Sequence, residues 1–263
     1  MFGSWYIIGD NSVKTEVTCG PVFEEYKRFS VIVFVGQPVI EIINLSGMYD
    51  HYDLSRFEDV LIRDLKGLKG VKLYVDEEGE LLISRSLGSP LGIHLIDIGD
   101  YHYITRLYLS KVNEAFDLLV LDNHRDDQEP RFPGLRSCGS WIRDSIESMG
   151  ETLSSVKLIK GDGSFEYLKG SFDSKRPLYI SLDKDILDKK ECPTNWDQGQ
   201  LSVSDVLSVL EAEIRDRIIL GTDISGGVAP DALGASEEIL MNERVDQKIT
   251  TFLRKEGNYA LRS

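Results

Sequence analysis

From residue 91 onward, short apolar runs alternate with longer stretches in which apolar residues recur at helical spacing. This alternation constrains the fold most, because successive parallel strands require a crossover connection, which is usually a helix. The apolar runs predict strands at 92–98, 116–122, 156–160, 178–183 and 217–224. The intervening stretches predict helices at 101–113, 141–149, 203–214 and 236–255. The pattern is typical of a three-layer α/β fold, a mostly parallel sheet with helices on both faces.

Residues 1–90 differ, with short apolar runs that Gly or Pro often interrupts. We expect strands there at 5–8, 31–35, 39–43, 71–75 and 81–84, one helix at 54–68 and a solvated turn at 76–80. No internal repeat or low-complexity linker separates this β-rich part from the rest of the chain. The sequence therefore predicts one domain over residues 1–263.

Composition narrows the range of partners. The formal net charge of −14 repels nucleic-acid phosphates and anionic membrane surfaces on average, but not a small cationic substrate. No apolar run reaches the length of a bilayer span, and the first residues lack the pattern of a secretory signal peptide. Three scattered cysteines are too few for a disulfide framework. We therefore expect a cytoplasmic protein that binds a small molecule and neither nucleic acid nor membrane, with a homo-oligomer as an open alternative.

Ionisable side chains cluster directly after the strand at 116–122. Side chains two residues apart in an extended chain point the same way, so Asp122, His124 and Asp126 share one face. One imidazole between two carboxylates is an arrangement that can hold a metal ion. An acidic loop that happens to contain a histidine is the alternative.

Two further strand ends carry residues of the same kind. Asp183 and Asp185 lie at the end of the strand at 178–183, and their carboxylates repel each other unless a cation neutralises them. His102 lies in the first turn after the strand at 92–98. In a parallel sheet the carboxyl ends of the strands meet at one edge, where ligands bind. An Asp-rich turn and a packed histidine at a helix start are the alternatives here.

Together these positions offer two imidazoles and four carboxylates, which is more than one ion needs. The set suits Mn²⁺, with Fe²⁺ or Zn²⁺ as alternatives, because it combines oxygen ligands with imidazole and contains no thiolate. Two ions could share Asp122 and Asp183 and activate water for hydrolysis. The candidate metal ligands are His102, Asp122, His124, Asp126, Asp183 and Asp185.

Three segments resemble the signatures of the ureohydrolases, the family of arginase, agmatinase and formiminoglutamase. They are Gly-Asp-Tyr-His at 99–102, Asp-Asn-His-Arg-Asp at 122–126 and Ser-Leu-Asp-Lys-Asp-Ile-Leu-Asp at 181–188. The resemblance implies an arginase-like fold, which metal-dependent deacetylases share, and two Mn²⁺ ions per chain. One ion would be held by His102, Asp122, Asp126 and Asp183, and the other by Asp122, His124, Asp183 and Asp185.

The resemblance also points to residues that would process the substrate. Cys138 stands where the family has a histidine that transfers protons, and a neutral thiol is poorer at this task. Asp205 resembles a carboxylate that pairs with the guanidinium group of the substrate, although its position also fits a capping box at the start of a helix. Asp126 is the third candidate catalytic residue.

Two further features concern the surroundings of the site. Tyr101 replaces the acid that precedes the histidine in the family pattern, which leaves the support of His102 unassigned. Arg131 and Arg136 could hold a substrate carboxylate by bidentate pairing, or could pair with acids close by such as Glu129.

These observations leave three hypotheses for the function. The first is a binuclear-manganese hydrolase that cleaves a linear C–N bond of a small guanidino or amidino compound, as the resemblance implies. The second keeps the fold and the metal but hydrolyses an amide, as the deacetylases do. The third is a metal-stabilised binding protein without turnover, which the residues at positions 101, 138 and 205 suggest.

Overall fold

The computed structural model describes residues 37–129, 132 and 134–260. Its strands are β1 (Ile40–Asn44), β2 (Val60–Asp64), β3 (Tyr74–Val75), β4 (Gly92–Ile96), β5 (Phe116–Leu121), β6 (Arg136–Ser137), β7 (Leu153–Ile159), β8 (Phe165–Lys169), β9 (Leu178–Asp183) and β10 (Ile219–Ser225). Its α-helices are α1 (Glu77–Ser86), α2 (Ile104–Leu109), α3 (Trp141–Met149), α4 (Val203–Ile214) and α5 (Ala235–Glu256).

A central sheet of eight strands organises the described chain, in the order β2-β1-β4-β10-β9-β5-β7-β8. All neighbouring strands are parallel except β8, which runs antiparallel to β7. Helix α2 packs against α1 and α3, while α4 packs against α5. The structure confirms the predicted three-layer α/β fold with a mostly parallel sheet.

The register of the central strands aligns their carboxyl ends. Leu121 of β5 lies beside Leu182 of β9, so the residues that follow, Asp122 and Asp183, are neighbours. Ser225, the last residue of β10, pairs with Asp183 on one side and with the end of β4 on the other. Strands β4, β5, β9 and β10 are buried along their whole length. Because these strands are buried and their register is fixed, the loops that follow them lie at one edge of the sheet.

Prediction succeeded where the apolar pattern was long or continuous. The helices at 141–149 and 203–214 and the strand at 178–183 have the predicted bounds. The predicted helix at 101–113 is shorter, with a 3₁₀ turn Gly99–Tyr101 before α2. The hairpin strand β8 was not predicted.

Three predictions in the first ninety residues are wrong. Residues 54–68 do not form a helix but a 3₁₀ turn, Leu54–Arg56, followed by β2, because parallel pairing with β1 overrides their helical spacing. Residues 77–84, predicted to form a turn and a strand, instead form most of α1. The Asp76 side chain accepts a hydrogen bond from Gly79 N at 2.8 Å and caps the helix, which the acids of the first turn stabilise further.

The predicted strands at 5–8 and 31–35 lie outside the described residues. That residues 1–263 form a single domain stays a prediction. Among the residues that the structure describes, no helix is long and apolar enough to cross a membrane.

A buried ion pair ties helix α5 to the end of β9. Lys184 and Asp246 are fully buried, and Lys184 Nζ lies 2.8 Å from Asp246 Oδ1 and 2.9 Å from Oδ2. The Tyr52 hydroxyl donates a further hydrogen bond of 2.7 Å to Asp246. Because Lys184 lies between Asp183 and Asp185, the pair also holds the chain on which both carboxylates are carried.

We expect Asp246→Ala to lower the free energy of unfolding by about 3–5 kcal/mol, because it leaves the ammonium group of Lys184 buried without a partner. Urea denaturation measures the change. Glu147→Gln is the matched control, since it breaks the exposed pair with Arg143 and should cost less than about 1 kcal/mol. Equal losses in the two variants would contradict the role given to the buried pair.

Candidate metal centre

Three strand ends bring His102, Asp122 and Asp183 together at the carboxyl edge of the sheet. Asp122 directly follows β5, Asp183 ends β9, and His102 follows the 3₁₀ turn Gly99–Tyr101 beyond β4. His102 Nδ1 lies 3.3 Å from Asp122 Oδ2, 3.4 Å from Asp126 Oδ2 and 3.2 Å from Asp183 Oδ2. All four side chains are buried.

His124 and Asp185 form a second group, which also includes Asp122. His124 Nδ1 lies 2.7 Å from Asp185 Oδ2 and 3.8 Å from Asp122 Oδ1. The ligand atoms of His102, Asp122 and Asp126 all lie within 4.8 Å of one another, and so do those of Asp122, His124 and Asp185. Asp122 is therefore common to two groups, each suited to one metal ion.

The hydrogen bonds around His102 show that its inner nitrogen fits a cation. His102 Nε2 lies 2.8 Å from the Ser181 hydroxyl, which leaves Nδ1 facing the carboxylates. Within the described residues, His102 Nδ1 and Asp122 Oδ2 are buried without a hydrogen-bond partner. Buried polar atoms rarely lack a partner, and here a metal ion would provide one for both atoms. Ser181 also supplies the support for His102 that Tyr101 cannot.

The electrostatics of the cluster require added positive charge. Burial, with Asp185 and Asp126 close by, raises the pKa of Asp122 well above the usual value for an aspartate. Burial and the neighbouring Asp183 raise the pKa of Asp185 to about 6. Burial opposes a charge on His102, but the surrounding carboxylates raise its pKa well above the ordinary value. His102 lowers the pKa of Asp183 despite its burial, so Asp122 is the carboxylate whose ionisation the cluster opposes most, and divalent cations would remove that opposition.

Local backbone features make room for the cluster and orient it. Gly226, just after β10, has φ +97°, and a Cβ there would lie 2.6 Å from Asp183 Oδ1. Asp126 also has a positive φ of 46°. Helix α3 holds it there, because Trp141 Nε1 donates to Asp126 Oδ2 at 3.0 Å and Ile142 N donates to its carbonyl oxygen at 3.0 Å. The start of α3 therefore sets the direction of the Asp126 carboxylate.

A cavity of about 220 Å³ opens onto the cluster. Its lining includes Asp126, Asp183 and Asp185 together with the aromatic side chains of Tyr74 and Trp196. Pockets for drug-sized ligands span roughly 300–1,000 Å³. The cavity therefore suits a small molecule whose reacting atom lies beside the candidate ligands.

The predicted substrate residues lie in different places. Cys138 lines the cavity, but burial, with Asp126 near, raises the pKa of its thiol to about 12. Arg136 does not reach the cavity lining, because its guanidinium pairs with Glu80 at 3.0 Å and lies 3.9 Å from Asp144. It therefore pairs with acids, although these belong to α1 and α3 and not to its own loop. Arg131 lies outside the described residues.

The structure does not bring Asp205 to the cavity. The residue is exposed at the start of α4, where Ser202 N and Ser202 Oγ both donate to Asp205 Oδ2, at 2.9 and 2.6 Å. Its backbone N–H donates in return to Ser202 Oγ at 3.1 Å. This is the capping box that the sequence offered as an alternative, and it replaces the expected contact with a substrate.

Sequence reasoning missed three side chains that shape the site: Ser181, Trp141 and Trp196. Ser181 precedes Asp183 by two residues in the buried strand, so period-two spacing alone could have placed it on the same side. Trp196 stands in a loop of otherwise small and polar residues, which is an uncommon place for a tryptophan. No local signal joins Trp141 to Asp126, because that contact depends on how α3 packs.

No family model matches the sequence. A protein from Thermotoga maritima, described as "Uncharacterized protein", is 31% identical over 208 residues, which make up 74% of this chain and 82% of the relative. The chain belongs to the same family as this Thermotoga protein.

Solved structures share the architecture. A hypothetical agmatinase from Burkholderia thailandensis matches with a TM-score of 0.54 and 17% identity, covering 82% of this chain and 85% of that one. The chain has the ureohydrolase fold. Proclavaminate amidino hydrolase from Streptomyces clavuligerus matches it at TM-score 0.54 and 12% identity over 84% and 93% of the two chains. Arginase from Bacillus subtilis matches at TM-score 0.54 and 13% identity over 81% and 98%. The predicted fold resemblance is confirmed, and at these identities the likeness concerns the fold.

The metal-free protein should lose stability as the pH rises from about 4 to about 8. The neighbouring Asp185 raises the pKa of His124 from 6.5 to about 8, and burial raises that of Asp185 from 3.8 to about 6. Both raised values stabilise the fold below the unfolded-state pKa, and this contribution is lost as the pH rises through the folded-state value. Because His124 also lowers the pKa of Asp185, the reference is the double variant His124→Gln/Asp185→Asn, and thermal unfolding of chelator-treated protein should show a steeper fall between pH 6 and 8.5 than this variant does. Parallel curves for the two proteins would refute the assignment.

We expect Ser181→Ala to weaken metal binding about 10–100-fold, because it removes the group that fixes the orientation and tautomer of His102. Calorimetric titration of the chelator-treated protein with Mn²⁺ measures the affinity. Ser208→Ala is the matched control, since that hydroxyl caps only a carbonyl of α4 and should leave the affinity unchanged. Equal affinity in Ser181→Ala and the wild type would show that His102 needs no such support.

Proposed function

We propose that the protein is a metal-dependent hydrolase that cleaves a linear C–N bond of a small guanidino or amidino compound at a binuclear manganese centre. One observation carries the proposal: Asp122 belongs to two separate groups of ligand atoms at the carboxyl ends of neighbouring strands. A single ion would need only one of these groups. The ureohydrolase fold supports the same conclusion, since its solved examples include an arginase and an amidino hydrolase.

A different set of side chains would bind each of the two ions, with Asp122 common to both sets. His102 and Asp126 would bind the first ion, His124 and Asp185 the second, and Asp122 both. Asp183 lies 3.2 Å from His102 Nδ1 and accepts a hydrogen bond from Asp185 N at 3.0 Å, so it is placed to contribute to either ion. Divalent cations at such a site lower the pKa of water and so supply a hydrolytic nucleophile at neutral pH.

Asp126 is the residue that we assign to proton transfer. Its carboxylate lines the cavity, and Oδ2 accepts a hydrogen bond from Trp141. Oδ1 is therefore the atom that would accept the proton of the water molecule that attacks the substrate. Cys138 is the other candidate beside the cavity. Its raised pKa of about 12 keeps the thiol protonated and makes it a weak acid at neutral pH, so it does not replace a histidine in this role.

A second candidate function, metal-dependent binding without turnover, also has support in the structure. The two side chains that the resemblance assigned to substrate processing are a neutral thiol, Cys138, and a capping residue, Asp205. A metal centre can serve stability alone, because metal binding is coupled to folding. Turnover measurements decide between the two functions.

Protein loaded with Mn²⁺ should release urea or an amine from a panel of guanidino and amidino compounds. We expect Asp122→Asn to lose at least about 100-fold in kcat/KM together with bound metal, because the variant weakens both groups of ligands. Asp205→Asn is the control and should keep both metal content and turnover, since its carboxylate caps α4. Metal determination by mass spectrometry accompanies the assays.

Three results would count against the proposal. The absence of bound transition metal after reconstitution would remove its basis. Acetate release from acetylated amines, without reaction of any guanidino or amidino compound, would favour amide hydrolysis instead. Full metal occupancy without turnover of either panel would favour the binding protein.

A further inference from the structure

Trp196 places its indole ring beside the candidate ligands. Its side chain lines the cavity and is 39% exposed, although most tryptophans bury more of their surface. The ring meets the ring of His124 edge to face, with centroids 5.7 Å apart. Gly99 is another neighbour, and a Cβ there would lie 2.8 Å from the indole ring. Trp196 therefore lies between the first and second metal-binding segments and contributes part of its indole surface to the cavity.

Buried Asp100 fixes the position of this ring. Asp100 Oδ1 accepts hydrogen bonds from Trp196 Nε1 at 3.0 Å and from Asn195 Nδ2 at 2.9 Å. The loop Cys192–Gly199 is held at two more points: Asn123 Nδ2 donates to the carbonyl oxygen of Asp197 at 3.0 Å, and Gly199 N donates to that of Asp185 at 2.7 Å. The loop is therefore bonded to all three metal-binding segments, and the indole is pre-oriented before any ligand arrives.

The charge balance of the cavity leaves the recognition of a cation to its aromatic lining, in which Trp196 lies against the candidate ligand His124 and Tyr74 packs against Phe132. The acids that line the cavity within the described chain are Asp126, Asp183 and Asp185, and all are candidate metal ligands. With Asp122 they carry four negative charges, which two divalent ions neutralise. Asp205 is occupied at the start of α4, so no carboxylate of the described lining remains to pair with a substrate cation. The face of a tryptophan attracts planar cations through its quadrupole.

We propose that Trp196 is a specificity-determining residue that stacks on the planar cationic group of the substrate, and that Asp100 is the positioning residue that holds it. The inference rests on the proposed function and deepens it by assigning the recognition of the guanidinium or amidinium group. It distinguishes this chain from a site in which a carboxylate pairs with that group.

Calorimetry of the Mn²⁺-loaded full chain tests the proposal with two probes of nearly equal shape, butylguanidinium and uncharged butylurea. The fast heat of each injection reports binding, and a slower heat together with urea in the cell reports hydrolysis. Wild type should bind butylguanidinium about tenfold more tightly than butylurea. Trp196→Leu should abolish this preference, and Trp196→Phe should keep part of it, because a benzene ring retains a weaker quadrupole.

Asp100 is tested through the same preference. Asp100→Ala should reduce the preference for the cation, whereas Asp100→Asn should restore it, because the amide oxygen can still accept the indole N–H. Phe165→Leu, which removes an exposed aromatic ring on β8, is the control and should behave as wild type. Equal Mn²⁺ content in all variants shows that the metal centre is intact.

Two results would overturn the inference: no preference for butylguanidinium in the wild type, or an unchanged preference in Trp196→Leu. Neither depends on turnover. A failure of the proposed function would appear instead as binding without the slow heat or urea release.

Discussion

Mutual repulsion among buried carboxylates is the constraint around which this structure is arranged. Asp122, Asp183 and Asp185 lie at the ends of two adjacent strands, almost without solvent access. Burial and the neighbouring carboxylates raise the pKa of Asp122 well above the usual value, so its ionisation at neutral pH needs positive charge in the cluster. His102 provides one response, since its Nδ1 faces several carboxylates at 3.2–3.4 Å. Two divalent cations would neutralise the carboxylates more completely, and the membership of Asp122 in both groups of ligand atoms fits two ions.

The surrounding fold restrains groups that repel one another. The ion pair of Lys184 and Asp246 anchors the end of β9 to helix α5, and Gly226 leaves space beside Asp183. Ser181 fixes the outer nitrogen of His102, and Trp141 fixes Asp126. Each restraint comes from a different element, so the arrangement depends on the whole sheet and its helices. This distribution is typical of sites whose geometry must be set before ligands bind.

The metal side of the cavity agrees with the ureohydrolase pattern, whereas the substrate side departs from it. On the metal side, positions that resemble the ureohydrolase signatures meet in space. On the substrate side, Asp205 is a helix cap, Cys138 is a neutral thiol, and the aromatic ring of Trp196 lines the cavity. A shared fold carries no information about such differences, because specificity lies in loops while the fold is set by the buried sheet.

The sequence by itself determined the parallel α/β architecture and the convergence of the candidate ligands. Both follow from local pattern: continuous apolar strands are buried, and residues after their carboxyl ends share one edge. Tertiary structure alone decided the rest. Pairing with β1 made residues 60–64 a strand, packing of α3 joined Trp141 to Asp126, and the loop Cys192–Gly199 carried Trp196 to the cavity. It also decided between two uses of Asp205 that the sequence allowed equally. These contacts join residues far apart in the chain, and their energies depend on the packed geometry that local spacing does not specify.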